Sequence, residues 1–255
     1  MEKKLNFLSR LKISSFKIKQ YSLLLKDGLN KAIGYALILS LIIGIFLGAI
    51  QFTLLTTIEK ELKIALEKEE FEFEMSEGLL DFKASPYKLE EGGTVIIIDS
   101  NKTLNDSESF RNVTVHKDIP TVFVKDGIIV RENANEYKLK YTEIPIVNKS
   151  INNQGAINIL NKVKPIKYIV FIAMIVITYI SLLFKALIIS LIGIISNKMN
   201  GSKLKYKDIL KISLYSLTVP VLINLIFPMG SLTILIAGIY VTMAINNINK
   251  EKILL

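Results

Sequence analysis

A run of 24 residues without a single charge, Ala32 to Leu55, constrains this chain more than any other feature. At about 1.5 Å of rise per residue a helix of that length crosses a hydrocarbon core of about 30 Å. A secretory signal would have a shorter apolar core and a small-x-small cleavage site after it. Gln51 to Thr57 offers bulky residues there instead, so the segment is expected to be retained.

Three more apolar stretches follow, and together they predict a helical membrane protein of four spans. Tyr168 to Ser196 is interrupted only by Lys185 and is long enough to tilt. Ile212 to Met229 and Ser231 to Asn246 are each near the lower length limit, and Pro228-Met229-Gly230 between them reads as a tight turn. A hydrophobic content of 51% and a mean hydropathy of +0.42 exceed what a soluble globule usually shows.

Charge alternates by segment and supplies a direction. Residues 1–31 hold eight Lys/Arg against two acids, residues 56–166 hold fifteen against nineteen, and residues 196–211 hold five Lys against Asp208. Short basic loops stay on the cytoplasmic side. The expected order is a cytoplasmic basic segment (1–31), span one (32–55), an extracytoplasmic domain (56–166) and span two (168–196). A cytoplasmic loop (197–211), spans three (212–229) and four (231–246) and a cytoplasmic tail (247–255) complete it. Both termini are then inside, in a bacterial cytoplasmic membrane. The first segment mixes Leu5, Leu8, Leu11, Phe16 and Tyr21 with Lys12, Lys17 and Lys19. Such a mixture could lie on an anionic leaflet, but positive-inside charge alone accounts for its lysines.

Within residues 56–166, Ile58, Leu62, Ala65 and Leu66 repeat at helical spacing, so the first span is expected to continue outward as a stalk. From Phe71 the period becomes two, with Phe71, Phe73 and Met75 alternating with Glu70, Glu72 and Glu74. Thr94 to Ile98 is a β-branched run, and Lys125-Asp126-Gly127 between Val122–Val124 and Ile128–Val130 is a hairpin signal. Tyr137, Leu139 and Tyr141 alternate with lysines. These patterns predict a small antiparallel β-rich (α+β) domain. Asn148 to Asn161, rich in Asn with Gln154 and Gly155, reads as a flexible connection before a short helix and Pro165 lead into the second span. Sequons at Asn101, Asn105, Asn112 and Asn148 are expected by chance in so Asn-rich a chain.

Chemistry-bearing patterns are sparse. With no Cys there is no disulfide, thiolate metal site or thiol nucleophile. His116, the single His, has no partner at metal-ligand spacing. Glu67, Glu69, Glu70, Glu72, Glu74, Glu77 and Asp81 lack the spacing of a calcium loop and read as a solvated face. No phosphate-binding loop, nucleophile elbow or nucleic-acid motif occurs, so no catalytic residue, cofactor, metal or nucleic-acid partner is expected.

Three residues stand out as functional candidates. Lys185, about 26 Å from the outer end of its span, either snorkels to the inner headgroups or serves as a counter-charge for a substrate, ion or partner. Ser181 one turn away would make a Ser-Lys dyad only with a deprotonated Lys, which nothing supports. Asp99 is either a ligand-site acid or a turn cap. Pro220 is either a gating hinge or a packed kink. Ser40, Gly44 and Gly48 form a small-residue face for close helix packing, with another copy through span one or with the chain's own spans.

These pieces together resemble an uncharacterised bacterial membrane family known as domain of unknown function 1189, over nearly the whole chain. The resemblance rests on Tyr21 to Tyr35, on Phe73-Glu74-Met75-Ser76-Glu77-Gly78-Leu79-Leu80, on Ser85-Pro86-Tyr87 and on Ile96 to Thr103. It continues in Lys185-Ala186-Leu187, Leu204 to Asp208 and Thr218-Val219-Pro220. It departs at Asp99-Ser100, where the family pattern has Asp-Thr. The resemblance implies one span, an outer domain and a cluster of spans, and some relatives carry a name linking them to maltodextrin use. The function expected from residues and resemblance together is a non-enzymatic sensor, scaffold or accessory protein whose outer domain binds a ligand or partner. A transport component, with Lys185 and Pro220 lining a path, is the alternative.

Overall fold

The computed structural model describes residues 5–91, 94–114, 120–132, 135–144 and 150–253. In chain order, α1 (Phe7–Phe16) and α2 (Tyr21–Leu25) lead into α3 (Leu29–Leu66), and β1 (Phe73–Ser76), β2 (Leu79–Phe82), β3 (Tyr87–Glu91) and β4 (Thr94–Asp99) follow. Next come α4 (Arg111–Thr114), β5 (Thr121–Val124), β6 (Gly127–Glu132), β7 (Asn135–Lys140), β8 (Ile151–Asn152) and α5 (Asn153–Val163). The chain then forms α6 (Ile166–Met199), α7 (Tyr206–Ser216), α8 (Thr218–Ile226) and α9 (Leu232–Ile253). Two compact units result, one from the residues up to Thr53 with those from Lys167 onward, the other from Leu54–Ile166.

Four helical stretches are long and apolar enough to cross a membrane: Leu29–Leu66, Asn153–Met199, Tyr206–Ile226 and Leu232–Lys250. The small-residue face of the first is filled from within the chain. A Cβ on Gly44 would stand 2.7 Å from Ile175 Cα, and one on Gly48 3.0 Å from the Phe171 ring. Only glycine lets α3 and α6 approach so closely. Ser40 is buried on the same helix, its hydroxyl donating to the Leu37 carbonyl at 2.9 Å.

The third stretch is not one helix. Pro220 has no N–H to give the Ser216 carbonyl, so α7 stops at Ser216 and α8 starts at Thr218. Pro220 itself falls in the first turn of α8, where a missing donor costs nothing. The break therefore lies at Leu217, upstream of the residue that causes it. α7 also begins at Tyr206, inside what the charges suggest is a loop reaching to Lys211.

The N-terminal segment carries more than an orientation signal. Ile13, Tyr21 and Leu24 are buried in the same core as Tyr35, Ile189, Tyr215 and Ile245, and the Tyr21 hydroxyl donates to the Ser14 carbonyl. Leu8 and Phe16 stay exposed. The aromatic and branched residues among those lysines are there because α7 and α9 pack on them.

In the second unit, β1 and β2 form a hairpin whose turn residues Glu77 and Gly78 both have positive φ, 55° and 75°. Two left-handed residues give the turn twist that matches antiparallel strands. β8 pairs with β1 in a three-stranded sheet, and β3-β4-β5-β6-β7 form a second sheet of five. The expectation of a wholly antiparallel domain is corrected here, because β4 and β5 run parallel. Parallel neighbours need a crossover, and this one includes a helical segment, Leu104–Thr114, opened by a Thr103/Asp106 capping box. The Lys125-Asp126 hairpin joins β5 to β6, with Gly127 paired to Val124.

The short helix expected before Pro165 is present, but the expectation of a flexible connection is corrected, because regular structure runs from Ile151 to Val163. Ile151–Asn152 is strand and Asn153–Val163 is helix, capped by the Asn152 side chain accepting from Gly155 N. Asn153 is a clamp: Oδ1 accepts from Phe73 N at 2.8 Å, and Nδ2 donates to the Leu66 and Phe71 carbonyls at 2.8 and 3.1 Å. Asn residues that suggest disorder in sequence here satisfy the backbone at the end of α3 and the start of β1. Asn153→Ala is expected to destabilise this unit by about 2 kcal/mol, since three backbone groups lose their partner. Chemical denaturation followed by circular dichroism reads the change, and a shift under half that size would show that water replaces the carboxamide.

Candidate functional site

The five-stranded sheet presents one face unevenly. Its other face, carrying Val95, Ile97, Val122, Val124 and Ile129, is buried against Leu104 and Phe110. On the uneven face, Ile98, Phe123 and Ile128 pack under the three-stranded sheet with Phe71, Phe82 and Tyr87. One step along every strand lies the row Leu89–Ile96–Thr121–Val130–Tyr137, in which each residue pairs with the next. This row is open. Leu89 is 43% and Tyr137 54% exposed, Ile96, Thr121 and Val130 are half-buried, and Leu139 beside Tyr137 is exposed too.

Below that row, Asp99 is placed as a cap. Its Oδ1 accepts from Asn101 N at 3.1 Å and from Ser85 Oγ at 3.3 Å, while Ser85 Oγ accepts from Ser100 N. Ser100 Oγ accepts from Phe82 N. Asp99-Ser100-Asn101 and Ser85-Pro86, distant in sequence, thus form one hydrogen-bonded junction between the two sheets. Serine supplies the hydroxyl this junction uses. At the far edge Arg131 donates to Glu136 and to the Ser107 carbonyl. Burial pushes the Glu136 carboxyl up, but hydrogen bonds from Arg131, Ser107 and Lys138 outweigh it and hold it below the ordinary range.

Among the acids, Glu67, Glu72, Glu74 and Asp81 line an open groove of about 660 Å³ with Lys83, which pairs with Glu72 at 3.0 Å. No group of three or more possible metal ligands comes together among the described residues. His116 lies outside the described residues.

In the helical unit Lys185 lines a cavity of about 220 Å³ between α3, α6 and α8, with Ser181 and Thr178 on its own helix and Asn224 opposite. Pro220 does not line it. The Asn224 oxygen is already engaged, accepting from Met229 N at 2.9 Å and Thr233 Oγ1 at 3.1 Å. That carboxamide closes the turn after α8.

A buried polar network was not legible as a site. The Tyr35 hydroxyl lies 3.0 Å from Ser14 Oγ and 2.8 Å from Thr218 Oγ1, which donates to the Tyr215 carbonyl at the α7–α8 break. Nearby, Asp27 accepts from Arg10 at 2.8 Å and Lys31 at 3.0 Å. Lys211 donates to the carbonyls of Leu25 and Asp27 and pairs with Asp208. Only the i,i+4 spacing of Asp27 and Lys31 and the i,i+3 spacing of Asp208 and Lys211 could have hinted at it.

No curated protein and no solved structure matches the chain. Residues 8–248 match the family described as "Protein of unknown function (DUF1189)". The chain therefore belongs to the DUF1189 family across nearly its whole length.

Proposed function

We propose that this protein is a multi-pass membrane protein with both termini in the cytoplasm, whose Leu54–Ile166 unit is an extracytoplasmic, non-enzymatic docking domain. The row Leu89–Ile96–Thr121–Val130–Tyr137 carries this reading. A sheet that covers one face and half of the other, and leaves an apolar row open across all five strands, is shaped to receive a partner. Tyrosine at the rim suits a protein partner, because it buries a large ring while its hydroxyl stays wet. Segment charge supports the orientation.

The chain has no Cys, so Tyr137→Cys introduces a lone thiol. In intact cells it is expected to react with a membrane-impermeant maleimide and, carrying a photo-crosslinker, to give a discrete adduct that Glu108→Cys on the opposite face does not. Labelling only after the membrane is breached would overturn the orientation. Identical adduct patterns from the two positions would overturn the docking face.

A further inference from the structure

We infer that the Lys185 cavity seats one acyl chain of an anionic phospholipid, with the ammonium of Lys185 on the lipid's phosphate. The inference rests on the membrane reading above. Lys185 is the only charged side chain lining the cavity, and among the described residues it has no hydrogen bond or ion pair. Among the described residues of the helical unit the buried cations are engaged: Arg10 and Lys211 hold carboxylates, and Lys167 stands over the Phe52 ring at 5.3 Å. Beyond Lys185 the walls are mainly apolar, with Met174 and Ile177 on α6, Ile43 and Leu47 on α3, and Val221 and Leu225 on α8.

The one charge stands at one end of the α6 lining, and Ser181, Thr178 and Asn224 are the remaining polar groups. From Lys185 to Met174 the trough follows α6 for 11 residues, about 16 Å, which is half of a hydrocarbon core of about 30 Å and so the depth of one leaflet. A cation at the headgroup end of a leaflet-deep apolar trough matches an amphiphile with a negative head. Thr178 spends its hydroxyl hydrogen on the Met174 carbonyl and so does not donate to the phosphate. A volume of about 220 Å³ admits a segment of one chain and excludes a pair. Lys185 sits toward the Lys198 end of α6, so the lipid belongs to the leaflet on that side.

The chain has no Trp, so Met174→Trp places a single indole at the chain end of the trough. In full-length protein reconstituted in vesicles, brominated phosphatidylglycerol in a phosphatidylcholine background is expected to quench it. Its apparent affinity should exceed that of brominated phosphatidylcholine in the converse mixture by at least about fivefold. Lys185→Gln should abolish the preference and Lys185→Arg should keep it. Leu225→Trp gives the same readout if Met174→Trp does not fold. Equal quenching by both lipids, or a preference that survives Lys185→Gln, overturns the site. Loss of the preference on adding inorganic phosphate would assign the lysine to a free anion instead and also overturn it. Protein that fails to float with the vesicles would overturn the membrane reading itself, whereas equal quenching in floated protein leaves that reading standing.

Discussion

Asp27→Ala is expected to destabilise the helical unit by about 3 kcal/mol, the loss typical when one partner of a buried ion pair is removed. Asp27 is nearly buried, and Arg10, whose side chain is 13% exposed, loses its only described carboxylate. Lys31 is largely solvated, so its share is small. The cost arises from leaving a guanidinium unpaired, so Arg10→Met together with Asp27→Leu should recover most of it. Heat denaturation in detergent across the double-mutant cycle measures the coupling, and additive single effects would show that the pair contributes nothing.

The same carboxylate sets a pH dependence. Burial raises the pKa of Asp27, but the bonds from Arg10 and Lys31 outweigh it and hold it below the ordinary carboxylate value. A depressed pKa gives stability that is complete above the unfolded value of about 3.9 and is lost as pH falls through the lower folded value. Stability from neutral pH down to about 4 should therefore owe nothing to this group's titration, with its contribution falling only below that. Asp27→Asn should remove this acid-sensitive part.

Gly44→Val is expected to cost about 3 kcal/mol through overpacking, and Gly44→Ala about half of that. The obstacle is backbone: the new Cβ would meet Ile175 Cα at 2.7 Å, so trimming the isoleucine cannot make room. Ile175→Ala should therefore fail to rescue Gly44→Ala. Gly193 provides the contrast. There a Cβ would meet Ile209 Cγ2 at 2.5 Å, the end of a side chain, and Ile209→Ala should relieve much of the cost of Gly193→Ala. The same double-mutant cycles in detergent decide both. Rescue at Gly44 would mean that α3 and α6 can move apart without penalty.

Length and apolarity of the four helical stretches could be read from sequence because they depend on composition along one segment. The β1 strand and the β5–β6 hairpin were legible for a similar reason, since a period of two and turn chemistry are local. The parallel pairing of β4 with β5 was not legible, because the crossover between them has only a modest capping signal. Asn153 misled, since nothing in a run of polar residues says which carboxamide will find three backbone partners.

The candidate residues divide in the same way. Lys185 stood out because a charge in an apolar run is costly wherever the run folds. Its lack of a partner among the described residues, and the mainly apolar trough it faces, depend on α3 and α8 arriving from elsewhere in the chain. Asp99 could be read as a cap or as a ligand, and only the arrival of Ser85 from the β2–β3 connection shows it serving as part of a sheet junction. The sequence by itself determined that the chain must build four apolar helical stretches and a β-rich insertion, because hydrophobic period and charge act locally. The tertiary structure decided which polar groups are satisfied, which glycines are indispensable and which apolar row stays open, because those depend on neighbours far away in the chain.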